Sequence, residues 1–429
     1  MRSEAIVLGA GSSGIFTAIA LARRGIAVTL ADRGPAGSGT SGSFHGLLHS
    51  GARYAVTDPE AAGECWSESR KLIEMAPHCI ERTGGLFVAL GGSDEAYGSE
   101  LGKALKRCAI PFSENGAEET RALEPALSSS VGYSLSVDDN VLKGRLFLLS
   151  ALTTAIQMGV RFMPFMELTG AVREGGSIAS LRFSGREGRK GMEIRCRLVI
   201  NCTGPWTGET SRLLGSAADV MPAAGVMAVC ERRLLLRVVN RMRKPSDGDI
   251  LVPYGAKTIA GTTAALVEDI SSFNISGDDL DMLMDEAAMM VPGIRAAGFS
   301  RAYASFRPLI RGAGAGGRDA TRDFRIEADK DTDNLLTVTG GKMTTSRLVG
   351  ENAAEKAASI LGSARRGEEI RQLANPLVGL KQGSGDPSIG RYLPAWAGRA
   401  AGPDAEELLL SAVEYAVHRK ESGESGARH

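Results

Sequence analysis

A chain of 429 residues with 43% hydrophobic and 23% charged residues is long enough for two or three globular domains and too apolar to be disordered. Fifty basic residues cancel fifty acidic ones and only 5% of residues are aromatic, which argues against a nucleic-acid groove or a stacking platform for bases. No apolar run reaches the roughly 18 residues that a membrane-spanning helix needs.

The first element is Ile6-Val7-Leu8, an apolar strand that stops at Gly9. It starts so soon after Met1 that no room is left for a signal peptide, and a cytoplasmic location is expected. Gly9-Ala10-Gly11-Ser12-Ser13-Gly14 then leads into a helical pattern, Ile15, Ala18, Ile19, Leu21 and Ala22. A second strand, Ala27–Ala31, ends at Asp32, 18 residues after Gly14. Strand, glycine turn, helix, strand and acid together form the dinucleotide-binding fingerprint. Gly9 allows the tight turn, Gly11 the approach of a pyrophosphate and Gly14 the close packing of helix on strand. The helix N-terminus faces the phosphates, and Asp32 accepts from ribose hydroxyls.

Residues 34–57 are rich in Gly, Ser and Thr and read as a loop. Helices are expected at 60–76, 94–108 and 117–127, with a strand after Thr83-Gly84-Gly85. Asp138-Asp139-Asn140 reads as the opening of a long helix over about 143–158. Strands follow near 160–164, 167–173, 178–184 and 192–201. The last ends in Cys202-Thr203-Gly204, and a helix begins at about Thr207. Residues 220–310 are strand-rich with one helix at about 277–291. A third strand–glycine edge is Leu335–Thr339 followed by Gly340-Gly341-Lys342, with a helix over 346–361. The six cysteines, Cys65, Cys79, Cys108, Cys196, Cys202 and Cys230, show no metal-ligand spacing and read as reduced, mostly buried thiols; no metal is expected.

At Phe44-His45-Gly46-Leu47-Leu48-His49-Ser50-Gly51-Ala52-Arg53-Tyr54-Ala55 the chain resembles the FAD-dependent glycerol-3-phosphate dehydrogenase family, closest to the anaerobic A-subunit branch. The likeness continues through Ala76–Cys79, Thr83–Phe87, Asn240–Pro253, Arg307-Pro308-Leu309 and Gly340–Thr345, covering roughly residues 1–360. The broader group is the D-amino-acid-oxidase-like flavoproteins. The fold implied is α/β, a discontinuous Rossmann-like FAD-binding domain of the D-amino-acid-oxidase/glutathione-reductase type with an inserted mixed-sheet (α+β) substrate domain. The expected bounds are 1–90, 141–215 and 305–361 for the first and 91–140 and 216–304 for the second. Residues 362–429 form a tail with one helix at about 404–419.

The resemblance implies FAD as cofactor. It assigns Gly9, Gly11, Ser12, Ser13 and Gly14 to the pyrophosphate and Asp32 with Arg33 to the adenosine end. Thr40 and Ser41 touch phosphate; His45, Gly46 and Leu47 pass beside the flavin; Leu168 lies on the strand that meets the adenine. Thr203, Gly204 and Trp206 close over the cofactor, and Gly340, Gly341, Lys342, Met343 and Thr344 line the pyrimidine end of the ring. Arg53, Tyr54, Arg307 and Arg322 are implied for the phosphorylated substrate, since a guanidinium fork suits phosphate. His49 is the local candidate for the base, with packing against the flavin or holding the loop as the equal alternative, and Lys342 is the candidate for charge on the reduced ring.

The implied reaction is oxidation of sn-glycerol 3-phosphate, with electrons passed to quinone or a partner electron-transfer subunit. The chain departs from the family where Lys-Gly-Ser is replaced by Ala224-Gly225-Val226 and Gly-Val-Arg-Pro by Ser305-Phe306-Arg307-Pro308. Aerobic relatives carry a histidine where this chain has Met227. These changes fall near the expected pocket and leave open another polyol phosphate, hydroxy acid or amine as substrate, or a non-catalytic FAD-binding subunit. The family's cysteine-rich continuation is missing from residues 362–429. The basic and apolar stretch Arg232–Arg241 reads either as a peripheral membrane contact at the inner face of the cell membrane or, preferably, as a half-buried element.

Overall fold

The computed structural model describes residues 1–375 apart from 187, 189, 219, 311–323 and 366. Two compact units emerge, the first from 1–42, 144–220 and 324 onward, the second from 43–143 and 221–323. The expected split is thus redrawn. Residues 43–90 and 305–310 group with the second unit, because their strands pair there. The expected helix at 404–419 and Arg322 lie outside the described residues.

In the first unit a six-stranded sheet runs in the order Phe324–Ala328, Leu335–Gly340, Leu198–Asn201, Ala5–Leu8, Val28–Ala31, Arg161–Met163. All pairings are parallel except the outermost, between Phe324–Ala328 and Leu335–Gly340. Ala5–Leu8 is buried along its whole length, as a central parallel strand covered on both faces must be. Helices Ser12–Arg23, Gly144–Gln157 and Ser346–Leu361 cover it. A three-stranded antiparallel sheet, Met166–Glu174, Ser177–Gly185 and Met192–Arg195, packs Ile178, Leu181 and Phe183 against Ile6, Leu8 and Val199.

The second unit is built on a nine-stranded mixed sheet. Its middle strands alternate with period two, so Leu86 and Val88 face Ala287, Met290 and Ile294 on one side, while Phe87 and Ala89 face Leu101, Ala104 and Leu105 on the other. Helices Gly277–Met290 and Gly92–Arg107 thereby cover opposite faces. Asp138-Asp139-Asn140 does not open the long helix. Asn140–Leu142 is a strand pairing with Leu47–Leu48 and Ile80–Glu81, and the helix begins at Gly144. In the Arg232–Arg241 stretch Leu235, Val238 and Val239 are buried and Leu236 is exposed, which is the half-buried element expected. Among the described residues no helix is long and apolar enough to cross a membrane.

Gly350 is where helices Ser12–Arg23 and Ser346–Leu361 approach most closely. A Cβ there would lie 2.5 Å from the Phe16 backbone carbon and 2.6 Å from its oxygen. Gly350→Ala is therefore expected to cost about 1–3 kcal/mol through forced separation of the two helices, read from urea unfolding.

Candidate functional site

In the first unit three glycine turns sit at the C-terminal ends of neighbouring parallel strands, the edge at which open α/β sheets bind ligands. They are Gly9–Gly11 after Leu8, Cys202–Gly204 after Asn201 and Gly340–Lys342 after the last strand. The first two turns are packed against each other. Gly9 has φ +96°, and a Cβ on it would meet the Cys202 oxygen at 2.6 Å. A Cβ on Gly14 would lie 1.8 Å from the Gly9 oxygen. Gly11 is the N-cap of the Ser12–Arg23 helix, offers no side chain to it, and no acid stands in the first turn. A Cβ on Gly11 would meet only the Ser41 hydroxyl, at 3.2 Å. Ser41 Oγ accepts from the Ser12 N–H at 3.0 Å, which ties the loop to the helix start.

Asp32 ends the second strand. Its Oδ2 accepts from the Ala10 N–H at 2.6 Å and its Oδ1 from the Gly34 N–H at 2.8 Å. Burial pushes its carboxyl above the usual range, against the opposing pull of these bonds. Each oxygen keeps acceptor capacity for a further hydroxyl. Arg33 lies over the Trp206 ring, 4.6 Å from its centroid, and Trp206 in turn lies against Gly39. Asn201 Oδ1 accepts from the Thr203 N–H at 3.2 Å and from the Thr203 hydroxyl at 2.6 Å, fixing the second turn. Cys202 is buried and its thiol is pushed up to about 12, so it stays protonated. In the third turn Gly340 and Gly341 both have positive φ, +78° and +89°. Lys342 is half-buried and its N–H bonds Thr345 Oγ1. Thr40 opens a short 3-10 turn over Thr40–Gly42, Met343 opens another, and Thr344 is buried. Leu168 sits at a bulge of the strand Met166–Glu174 and packs on the core below. A glycine cradle at an acid-free helix start, with a carboxylate at the next strand end, fits an adenine dinucleotide.

The second unit holds the remaining residues. His45 Nδ1 accepts from the Leu47 N–H at 3.1 Å, so a neutral His45 carries its proton on Nε2. Gly46 has φ +88°, and a Cβ there would meet the Tyr254 ring at 2.5 Å. His49 and Tyr54 stack edge to face with ring centroids 5.3 Å apart. Arg53 is nearly buried and donates from Nη2 to Asp249 Oδ2 at 2.8 Å, while its buried Nη1 has no hydrogen-bond partner among the described residues. Arg307 donates from Nη2 to Thr262 Oγ1 at 2.5 Å and from Nη1 to the Thr263 carbonyl at 3.3 Å. Gly225 makes room for it: a Cβ there would lie 2.7 Å from Arg307 Nη2.

Two of the departures from the family pattern, Val226 and Phe306, prove to be on the other side of the sheet from Arg307, whereas Met227 and, by strand alternation, Ser305 share its side. Val226 packs with Ala228 and Leu283, and Phe306 meets Phe273 edge to face at 5.6 Å on that same side. Gly225 and Met227 share the opposite side with Tyr303 and Arg307. Val226 therefore fills the core beneath helix Gly277–Met290, and the half-buried Phe306 packs on Phe273 at its margin, instead of walling the arginine.

Several residues escape sequence reasoning. Asp139, wholly buried, accepts from the Ser50 N–H and hydroxyl, both at 2.7 Å, and from Asn240 Nδ2 at 3.1 Å. It thereby pins the residue next to His49. Asp249, likewise inaccessible, accepts from Arg53, Arg243 and the Ser246 N–H. Arg243 continues to Glu286, Glu286 to Arg241, and Arg241 to Asp94. No local pattern announces the contacts to Arg53, Ser50, Asn240, Glu286 and Asp94, since these partners are distant in sequence. Among the described residues no group of acids, histidines and cysteines could hold a metal ion, and the six cysteines are free thiols.

The fold and the turn cluster define a flavoprotein oxidoreductase: the chain belongs to the FAD dependent oxidoreductase family, whose model matches residues 4–356. FAD is its cofactor. The chain is 34% identical over 389 residues to the A1 subunit of the anaerobic glycerol-3-phosphate dehydrogenase of Haloferax volcanii, covering 87% of this chain and 66% of that one. It is 31% identical over 369 residues to the A subunit of the Escherichia coli anaerobic enzyme, covering 85% and 68%. The chain thus spans about two thirds of the length of these relatives. Among solved structures it superposes on the FAD-bound L-α-glycerophosphate oxidase of Mycoplasma pneumoniae with a TM-score of 0.71 at 17% identity, covering 87% of this chain and 99% of that one. On the FAD complex of glycerol-3-phosphate dehydrogenase from Bacillus halodurans the TM-score is 0.69 at 21% identity, covering 99% and 79%.

Asp139 offers a test of the pinned loop. Its replacement by Ala leaves buried donors of Ser50 and Asn240 unpaired and is expected to cost on the order of 3 kcal/mol. Burial raises its carboxyl above the ordinary value of 3.8, so the folded state binds the proton more tightly than the unfolded one. The wild type then loses stability as pH rises from 3.8 through the folded value. Asp139→Asn lacks that loss, so the stability difference should move in its favour with rising pH, as read from urea unfolding at several pH values.

Proposed function

We propose that the chain oxidises the C2 hydroxyl of sn-glycerol 3-phosphate to give dihydroxyacetone phosphate, and that the electrons leave to a quinone or a partner electron-transfer subunit. The observation that carries this reading is the 31–34% identity, over 85–87% of the chain, to proteins named for that activity. FAD, when bound, supplies a hydride acceptor at its flavin N5.

The residues of this chain take the following parts. Gly9, Gly11, Ser12, Ser13, Gly14, Thr40 and Ser41 receive the pyrophosphate, where N–H groups of the helix start meet negative charge. Asp32 takes the ribose hydroxyls on the lone pairs its backbone bonds leave, and Arg33, Leu168, Thr203, Gly204 and Trp206 enclose that half. Gly340, Gly341, Met343 and Thr344 border the ring. The Lys342 ammonium stabilises negative charge at the pyrimidine edge. Arg307 and Arg53 hold the phosphate of the substrate, and Tyr54 hydrogen-bonds its hydroxyls. His49 removes the C2 hydroxyl proton as a neutral imidazole.

Anaerobic mixing of the purified holoprotein with millimolar glycerol 3-phosphate should bleach the yellow flavin absorbance, and glycerol should leave it unchanged. Persistent colour with both would sink the dehydrogenase reading, and activity with neither substrate nor an artificial acceptor would favour a non-catalytic FAD subunit. Peroxide on readmission of air would point to an oxidase. Gly225→Ala intrudes on Arg307 and should raise KM on the order of tenfold with kcat much less affected, a loss of one charge-assisted bond.

A further inference from the structure

The two arginines assigned to the substrate are supported by one short piece of backbone. Asp249 has no side-chain exposure, and Arg53 is 9% exposed. Asp249 Oδ2 accepts from Arg53 Nη2 at 2.8 Å and from the Ser246 N–H at 2.5 Å, while Oδ1 accepts from Arg243 Nε at 2.7 Å. The preceding residue, Gly248, donates its N–H to the Thr262 carbonyl at 3.3 Å. Thr262 is the residue whose hydroxyl accepts from Arg307. The antiparallel register Ile250↔Gly261 makes this meeting unavoidable, because it sets 249 opposite 262 just beyond the paired strands.

The two arginines on Asp249 are not equivalent. Arg243 also donates to Glu286 at 2.9 Å and to the Asp247 carbonyl at 3.2 Å. Among the described residues Arg53 forms its ion pair with Asp249, with the Asp139 carboxylate as a further charged neighbour, and its Nη1 is buried with no hydrogen bond. A buried cationic donor without an acceptor is costly unless a ligand completes it. Its complement is an oxygen of an anion, and the planar fork favours a phosphate.

We infer that Asp249 is a positioning residue that aims the spare Nη1 of Arg53 at a phosphate oxygen, with Thr262 doing the same for Arg307. This inference rests on the phosphate-substrate reading above and adds to it the residues that set the geometry. Asp249 carries a negative charge close to the site, so simple electrostatics would have its removal strengthen anion binding. Positioning predicts the opposite sign, which makes the test sharp.

The measurements use the FAD-loaded full chain. Asp249→Asn and Thr262→Val should each raise the KM for glycerol 3-phosphate on the order of tenfold, with kcat within a few-fold of wild type, the pattern of lost ground-state and transition-state binding alike. Thr262→Ser keeps the hydroxyl and should restore KM. Titration calorimetry with inorganic phosphate should show the same weakening in Asp249→Asn and Thr262→Val. Should Asp249→Asn fail to fold, the Thr262→Val and Thr262→Ser pair decides. Unchanged phosphate affinity in the folded variants, tighter binding in Asp249→Asn, or a wild type that does not bind phosphate would overturn the inference. A wild type that binds phosphate, weakened in both variants, yet shows no flavin bleaching by glycerol 3-phosphate would instead overturn the substrate assignment and leave the positioning role standing.

Discussion

The first unit depends on one steric constraint, the absence of side chains where the first helix meets the first strand and its neighbour. With Gly14 against the Gly9 oxygen and Gly9 against the Cys202 oxygen, three backbone segments occupy space that a single methyl group would take. That proximity brings the start of helix Ser12–Arg23 to the end of Ala5–Leu8 and beside the Asn201 turn. The helix-start N–H groups, a buried carboxylate at Asp32 and the Trp206 cover all follow from strand ends aligned by parallel pairing. The dinucleotide site is thus a property of how closely backbone can pack, more than of any reactive side chain.

The second unit solves a different problem, that of holding charge inside a sheet. Its two sheet faces divide the labour. One carries Val226, Phe306 and Phe273 into the apolar core under a helix; the other carries Gly225, Met227, Tyr303 and Arg307. Along the same unit, acids and arginines alternate through Arg53, Asp249, Arg243, Glu286, Arg241 and Asp94, so each buried charge has a neighbour of opposite sign. Such a row is weak evidence for added stability, because desolvation offsets much of the attraction, yet it fixes the direction of every guanidinium in it.

Sequence legibility follows locality. The strand–glycine–helix edges at Gly9, Gly204 and Gly340 are visible because each is encoded within about a dozen residues, by turn chemistry next to an apolar run. Asp32 is visible through its fixed offset from the glycines. Asp139 is not. In sequence Asp138-Asp139-Asn140 has the composition of a helix cap, and only its partners Ser50 and Asn240 show it to be a buried acceptor. The side taken by Phe306 is equally hidden, since it depends on the pairing of Arg301–Ile310 with Val220–Cys230. The unit boundary fails for the same reason: residues 43–90 are claimed by strands such as Val238–Arg241 and Asn140–Leu142 that the local pattern does not mention.

The parallel order of the first sheet also dictates when that sheet can exist. Ala5–Leu8 pairs with Leu198–Asn201, which in turn pairs with Leu335–Gly340, so the middle of the sheet waits for chain made much later. Closing those gaps of roughly one to two hundred residues carries a large ordering cost before any contact repays it, as in other folds of high contact order. During synthesis the first strand and its helix must therefore remain exposed, apolar and unpaired on one edge while the ribosome completes nearly half of the chain. The same glycine-lined segment that later receives the cofactor is then the part of the nascent chain with the longest wait and the greatest need of protection from aggregation.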